Sequence, residues 1–442
     1  MNPSKLQRLC IISIMLIPSL CFASETEMDK ASTVWMIISS LLVLLMCIPG
    51  LALFYGGMVR EKNVLSIITQ FMGIAAVVSV LWTAFVYSMT ADTTGMEAGL
   101  YNIGSFVGGF DKAFLIGIDE FTLVSGVPEY VLFIFGLAFA IITPCIAIGG
   151  FAERMKFSAV ILFSVLWLII VYAPINHMVW SGSGALFHNW GVLDFAGGTA
   201  IHINSGVAAL VGAYVLGRRH GWPKTAMPPH NVIFTFMGMA FLWLGWFGFN
   251  VGSALAINDS AIVAFVTTML ATCTGIFGWM VVEKLKNGHV TGFGLASGAI
   301  GGVGCVSPAC AFVGPLGALL IGFISAIGCY YAITVLKKKL GIDDALDVFA
   351  LHGIGGIIGC VLTGIFCIPA LGGKIADVSV IPQVCAQIAS VIVTILYSGI
   401  LTWIIMKIID KTIGLRASPE SEHRGLDPVS YTHLTLPTIC SV

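Results

Sequence analysis

The sequence predicts an all-α polytopic membrane protein, with eleven transmembrane helices arranged as an inverted 5+5 repeat plus a final helix. Three observations predict it. Of the 442 residues, 58% are hydrophobic and only 10% are charged, with a mean hydropathy of +0.98, whereas soluble domains carry about a quarter charged residues. The apolar residues gather into runs long enough to cross a bilayer. Lysine and arginine fall on every second connection between those runs, as the positive-inside rule requires.

The elements follow in order. Lys5 and Arg8 precede an apolar run from Leu9 to Leu20, and Cys21-Phe-Ala23 precedes a cleavage point. Residues 1–23 therefore read as a signal peptide, too short for a span, and the mature chain starts near Ser24. Eleven spans follow, near 33–56, 64–89, 130–150, 157–174, 199–217, 231–254, 261–282, 290–312, 314–336, 348–369 and 382–408. Arg60, Lys62, Arg154, Lys156, Arg218, Arg219, Lys224, Lys284, Lys286, Lys337 to Lys339, Lys407, Lys411, Arg416 and Arg424 lie at one set of loop ends. The opposite set in the mature chain holds only Lys30, Lys112 and Lys374. That places the N-terminus outside and the C-terminus in the cytoplasm. The net charge of -1 says nothing about partners, and no nucleic acid is expected. The 51 glycines point to spans packed closely through small residues.

Two units of five spans must insert upside down relative to each other, so repeat A (about 33–217) and repeat B (about 231–369) form an inverted pair, with span 11 (about 382–408) outside it. The sequence trace is weak: Gly50-Leu-Ala-Leu-Phe-Tyr-Gly-Gly57 in span 1 parallels Gly245-Trp-Phe-Gly-Phe-Asn-Val-Gly252 in span 6. Two histidines give a better sign. His202 and His352 occupy spans 5 and 10, the equivalent element of each half, and follow Asp194 and Asp347 within three helical turns. Ionisable groups inside a bilayer are costly, and mark a conduction path or relay. The imidazoles either line such a path or only bond each other. Asp194 either caps the start of span 5 or meets a cation directly.

Aromatic residues cluster at related depth. Phe135 and Phe139 are four apart on span 3 and share a face, as do Phe249 and Ser253 on span 6, while Trp180 is placed in the connection between spans 4 and 5. Ring faces attract small cations, and a serine oxygen accepts a hydrogen bond from one. The remaining histidines at span ends read as ordinary polar positions, and the twelve cysteines, most of them within spans, do not read as a disulfide framework. No acidic pair or serine-histidine arrangement argues for an enzyme.

Several long stretches in order resemble the ammonium transporter (Amt/Mep/Rh) family, bacterial Amt type. They are Pro49-Gly-Leu-Ala-Leu-Phe-Tyr55-Gly-Gly, Ala152-Glu-Arg154, His177-Met-Val-Trp180, Asp194-Phe-Ala-Gly-Gly-Thr-Ala-Ile-His202-Ile-Asn-Ser-Gly206, Gly245-Trp-Phe-Gly-Phe249-Asn250, Ser307-Pro-Ala-Cys310 and Asp347-Val-Phe-Ala-Leu-His352-Gly. The resemblance covers roughly residues 30 to 427. It implies an ammonium-binding site at Phe139, Trp180 and Ser253, a gate of Phe139 and Phe249, pore histidines His202 and His352, pore-lining or pore-supporting Tyr55 and Trp246, and a structural or charge role for Asp194. It further implies ammonia passage with methylammonium as an analogue, no cofactor, a homotrimer in the inner membrane serving nitrogen uptake, and a cytoplasmic PII-type regulatory partner. Two other readings stand beside transport: an ammonium sensor, and a membrane haem protein with the two histidines as axial ligands.

Residues 411–427 resemble the family's cytoplasmic C-terminal segment. From Val429-Ser-Tyr-Thr-His-Leu-Thr-Leu-Pro-Thr438 on, the string reads as a translated sequencing adapter, so 428–442 is expected to be a non-native tail.

Overall fold

A computed structural model describes residues 27–431, with the side chains of the last two left aside. The expected signal peptide, and the expected foreign tail from 432 onward, lie outside the described residues. Ten helices are long and apolar enough to cross a membrane: Lys30–Met58, Glu61–Ala91, Glu129–Phe151, Phe157–Trp180, Gly198–Leu216, Val232–Gly252, Asp259–Asn287, Pro315–Leu340, Phe349–Phe366 and Val380–Thr412. The shorter apolar helix Gly292–Val306 stands between the seventh and eighth of these and completes eleven. They are numbered span 1 to span 11 in chain order, with Gly292–Val306 as span 8.

Two boundaries depart most from the sequence reading. Span 8 stops at Val306 rather than 312, because Pro308 lacks an amide hydrogen and disfavours helix before it. Span 4 continues to Trp180 rather than ending at 174, so Trp180 is the last residue of a helix and not part of a loop. Polar Asn176 and His177 made the end look earlier, yet both are satisfied inside the protein. Asn176 donates to the Tyr172 hydroxyl at 3.1 Å, and the His177 ring nitrogens lie 3.2 Å and 2.7 Å from the carbonyl oxygens of Thr90 and Gly104. The Gly104 contact ties down the long 92–128 connection, which carries a hairpin of two short strands, Leu123–Val124 and Val127–Pro128.

Equivalent spans of the two halves touch. Span 1 lies along span 6 and span 5 along span 10, while span 11 covers spans 5 and 10. The contacts are backbone to backbone. A methyl group on Gly238 of span 6 would sit 2.1 Å from the Phe54 nitrogen of span 1, and one on Gly206 of span 5 would sit 2.3 Å from the Gly353 nitrogen of span 10. Small residues are what let membrane helices approach this closely.

Spans 5 and 10 also begin alike. Each opens with a π-helical turn, Gly198–Ile203 and Phe349–Ile354, and that turn carries the histidine. Asp194 accepts hydrogen bonds from the amides of Gly197 and Gly198 (2.8 and 2.6 Å) and of Thr199 (2.7 Å), and from the Thr199 hydroxyl. At the other end of the protein Asp344 accepts from the amides of Val348 (3.1 Å) and Phe349 (2.8 Å). The sequence paired His352 with Asp347, but Asp347 instead bonds the Lys337 ammonium at 2.7 Å. Asp344, eight residues before His352 as Asp194 is eight before His202, is the equivalent cap.

The face rich in lysine and arginine, hereafter the basic face, is tied together by buried ion pairs. Arg219 bridges Glu153 and Asp343, at 2.8 Å to each, and Glu153 also holds Arg60. Burial alone would raise the Glu153 carboxyl, but Arg219 and Arg60 beside it hold it below the usual carboxylate range. The C-terminal segment docks here: Glu422 pairs with Arg416, and Asp427 accepts from the amides of Leu65 and Ser66 at the start of span 2.

Candidate functional site

Opposite the basic face a vestibule of about 510 Å³ opens between spans 2, 3 and 4 and the connections after spans 2, 4, 6 and 8. Span 3 contributes Phe135 and Phe139, whose ring centroids lie 4.7 Å apart, as four-residue spacing on a helix dictates. Trp180, closing span 4, stands edge-on to Phe139 with centroids 5.9 Å apart, and its indole N–H donates to the Asp194 carbonyl at 2.9 Å. Ser253, just past span 6, lines the same vestibule, and its hydroxyl donates to the Phe249 carbonyl at 2.8 Å.

The floor of the vestibule is a pair of rings. Phe139 and Phe249 stack with centroids 4.2 Å apart and planes 10° apart, and both are almost fully buried. Beneath them lies a narrow, apolar cavity of about 10 Å³, lined from span 1 by Met46, Leu51 and Phe54, from span 6 by Leu242, Trp246 and Phe249, and from spans 5 and 10 by the two histidines. That volume admits about one molecule the size of water.

His202 and His352 meet across this cavity, with Nδ1 to Nδ1 at 3.1 Å and ring planes 24° apart. One nitrogen must donate and the other accept, so the pair shares one N–H at that contact. His202 Nε2 has no hydrogen-bond partner among the described residues, and the rings of Trp246 and Phe249 lie 5.8 and 6.0 Å from its own. Trp246 is oriented in turn by its indole N–H, which donates to the Ser307 hydroxyl at 3.0 Å. An apolar slot one molecule wide, with the unpaired His202 Nε2 in it, can hydrogen-bond a small neutral guest. A hydrated ion would have to shed most of its water to enter. The Nδ1 contact leaves no room for a haem between the rings, so the axial-ligand reading does not fit.

A family model described as the Ammonium Transporter Family matches residues 34–435. The chain belongs to the ammonium transporter family. It is 43% identical over 413 residues to an ammonium transporter of Aquifex aeolicus, covering 93% of this chain and 95% of that one. To an ammonium transporter of Bacillus subtilis it is 44% identical over 407 residues, covering 90% and 97%. Among solved structures it is similar to a sensor Amt protein (TM-score 0.83, 25% identity, 91% and 98% covered) and to Mep2 of Saccharomyces cerevisiae (TM-score 0.79, 31% identity, 89% and 91% covered).

Within this ammonium transporter family member, most residues singled out in the sequence converge on one axis: Phe139, Trp180 and Ser253 at the vestibule, Phe139 and Phe249 at its floor, His202, His352 and Trp246 below. Tyr55 does not line the small cavity. It lies toward the basic face, its hydroxyl donating to the Ile146 carbonyl at 3.2 Å and its ring packed against Gly149. Asp194 is buried at the vestibule edge with both oxygens engaged by the first turn of span 5. Sequence reasoning gave no role to Ser307, which orients Trp246, or to Asp344. The eight-residue offset shared with Asp194 and His202 was the signal for Asp344.

Proposed function

We propose that the protein conducts ammonia across the membrane after capturing ammonium in the vestibule. Ammonium is recruited by the faces of Phe139 and Trp180 and by the Ser253 oxygen, a cation–π contact being worth about 0.5–2 kcal/mol. That cannot offset the hydration an ion loses in an apolar slot. The ion therefore gives up a proton at the stacked pair of Phe139 and Phe249, and neutral ammonia passes His202 and His352 while the proton travels separately through the imidazoles. Potassium has no proton to yield and is refused on chemistry rather than size. The observation that carries this reading is the narrow apolar cavity below the rings, about one molecule wide, in which His202 Nε2 has no hydrogen-bond partner among the described residues.

The same reading puts the protein in the inner membrane with the vestibule outside and the basic face in the cytoplasm, takes methylammonium as a substrate analogue, and follows the family resemblance in assembling homotrimers whose basic face receives a PII-type protein. A sensor is the second reading, favoured by the likeness to a protein named as a sensor Amt. Flux separates them. Purified protein in proteoliposomes on a solid-supported membrane should give transport signals with ammonium and not with potassium, and the double variant His202→Leu, His352→Leu should lose either the rate or the potassium exclusion. Ammonium binding without flux would favour the sensor, and a double variant matching the parent in both properties would refute the relay.

A further inference from the structure

The vestibule holds a second polar site that the path above does not use. Glu129 opens span 3 and lines the vestibule, as Phe135 and Phe139 of that span do. Ten residues, about 15 Å at helical rise, separate it from Phe139. The Glu129 side chain is only 4% exposed. Its Oε1 accepts from the Tyr87 hydroxyl at 2.7 Å and from Lys112 Nζ at 2.5 Å. Its Oε2 accepts no hydrogen bond among the described residues and is not sealed from solvent, so a donor arriving through the vestibule can reach it.

Lys112 approaches from the long connection between spans 2 and 3. Its backbone amide is fixed by a 2.9 Å bond to the Ser88 hydroxyl, while its side chain remains 30% exposed. The flexible stem alone needs to swing for the ammonium to leave. What sits on Glu129 is therefore a primary alkylammonium on a tether, in chemistry a surrogate for methylammonium, next to a phenol and within a wall that includes Trp82. We infer that Glu129 and Tyr87 form a second cation site in the vestibule, upstream of the rings, which takes free ammonium or a primary alkylammonium in exchange for the Lys112 side chain. The inference rests on the vestibule being the ammonium entrance.

A competing tether weakens binding of the free ion, so removing it should strengthen uptake. In proteoliposomes, Lys112→Met is expected to lower the half-saturating methylammonium concentration by about two- to fivefold, the scale of one partly exposed ion pair. Adding Glu129→Gln should abolish that gain. Lys112→Arg keeps the ion pair and so keeps any structural contribution, but its bidentate fork exchanges less readily. It should raise the half-saturating concentration with little change in maximal rate. A purely structural bridge predicts that Lys112→Arg transports as the parent does, and that Lys112→Met loses folded protein without any gain in apparent affinity; either result overturns the inference. Parent protein that conducts no ammonium would refute the transport reading itself, whereas a conducting parent with unshifted variants refutes only the second site.

Discussion

Replacing Asp194 separates its two possible roles, holding the start of span 5 or contacting the cation. Its carboxylate accepts four hydrogen bonds, three from the amides of Gly197, Gly198 and Thr199 and one from the Thr199 hydroxyl. Asparagine has one acceptor oxygen. Turned toward Gly197 and Gly198 it keeps those two bonds, and its amide can donate to the Thr199 hydroxyl, but the Thr199 amide, fully buried, faces a donor. Leaving one buried amide unsatisfied costs about 1–3 kcal/mol. Loss of ionic character weakens the two surviving bonds by about 1 kcal/mol each. Asp194→Asn should therefore destabilise the protein by about 3–5 kcal/mol, and Asp194→Ala, which orphans all three amides, by at least as much. Thermal unfolding in detergent, read alongside flux at saturating and limiting ammonium, checks this. The expected result is a lowered unfolding midpoint together with reduced maximal rate, since the π-turn that carries His202 loses its anchor. An Asp194→Asn protein with the parent's midpoint, and a defect confined to apparent affinity, would refute the capping argument and assign the carboxylate to the cation.

Further outcomes are expected elsewhere. Phe249→Ala removes one ring of the 4.2 Å stack and should cost about 3–5 kcal/mol while admitting water to the cavity, seen as lost discrimination between ammonium and potassium currents. Ser307→Ala leaves the buried Trp246 indole without its acceptor, costing about 1–3 kcal/mol, and should slow flux more than it alters apparent affinity. Gly238→Ala places a methyl 2.1 Å from the Phe54 nitrogen, so spans 1 and 6 must part by more than 1 Å for ordinary contact; a loss of about 1–3 kcal/mol and lowered flux are expected. Stability should also depend on pH through Asp344, whose carboxyl is pushed up to about 6 by burial, partly offset by Lys337 and reinforced by Asp347. The folded protein then takes up a proton near pH 6 that the unfolded chain takes up only near 3.8, so stability rises as pH falls from about 6 toward 4.5, by about 1.5 kcal/mol. Below that range Glu153 and Asp343, both held low by Arg219, reverse the trend. The rise should vanish in Asp344→Asn.

The spans were legible because a bilayer demands length and apolarity, which a sequence displays directly. Their ends were less so. Asn176 and His177 look like a boundary until their partners, Tyr172 within the span and Thr90 and Gly104 beyond it, are known, and the stop at Val306 depends on a single proline. Of the site, the rings and histidines could be placed by helical spacing and span direction. Tyr55 could not, since its side of the helix depends on how span 1 crosses span 6, and that crossing is set by Gly238, which no apolar pattern marks. Asp347 stood closer to His352 than Asp344 did, but chain proximity is a poor guide where a π-turn begins, and Lys337 claims Asp347 from the preceding span.

The offset of eight residues is where the inverted repeat becomes functional geometry. In each half the aspartate holds the opening amides of its span, and the histidine sits in the π-helical turn that follows, so cap and ring are fixed relative to each other. Spans 5 and 10 run in opposite directions, so the two capped turns approach each other from opposite faces. The imidazoles meet between them, with their Nδ1 atoms 3.1 Å apart. One residue more or less between cap and histidine would turn a ring away from this contact. The sequence similarity between the halves can therefore decay while this spacing persists, because the spacing is what joins two half-sites into one passage.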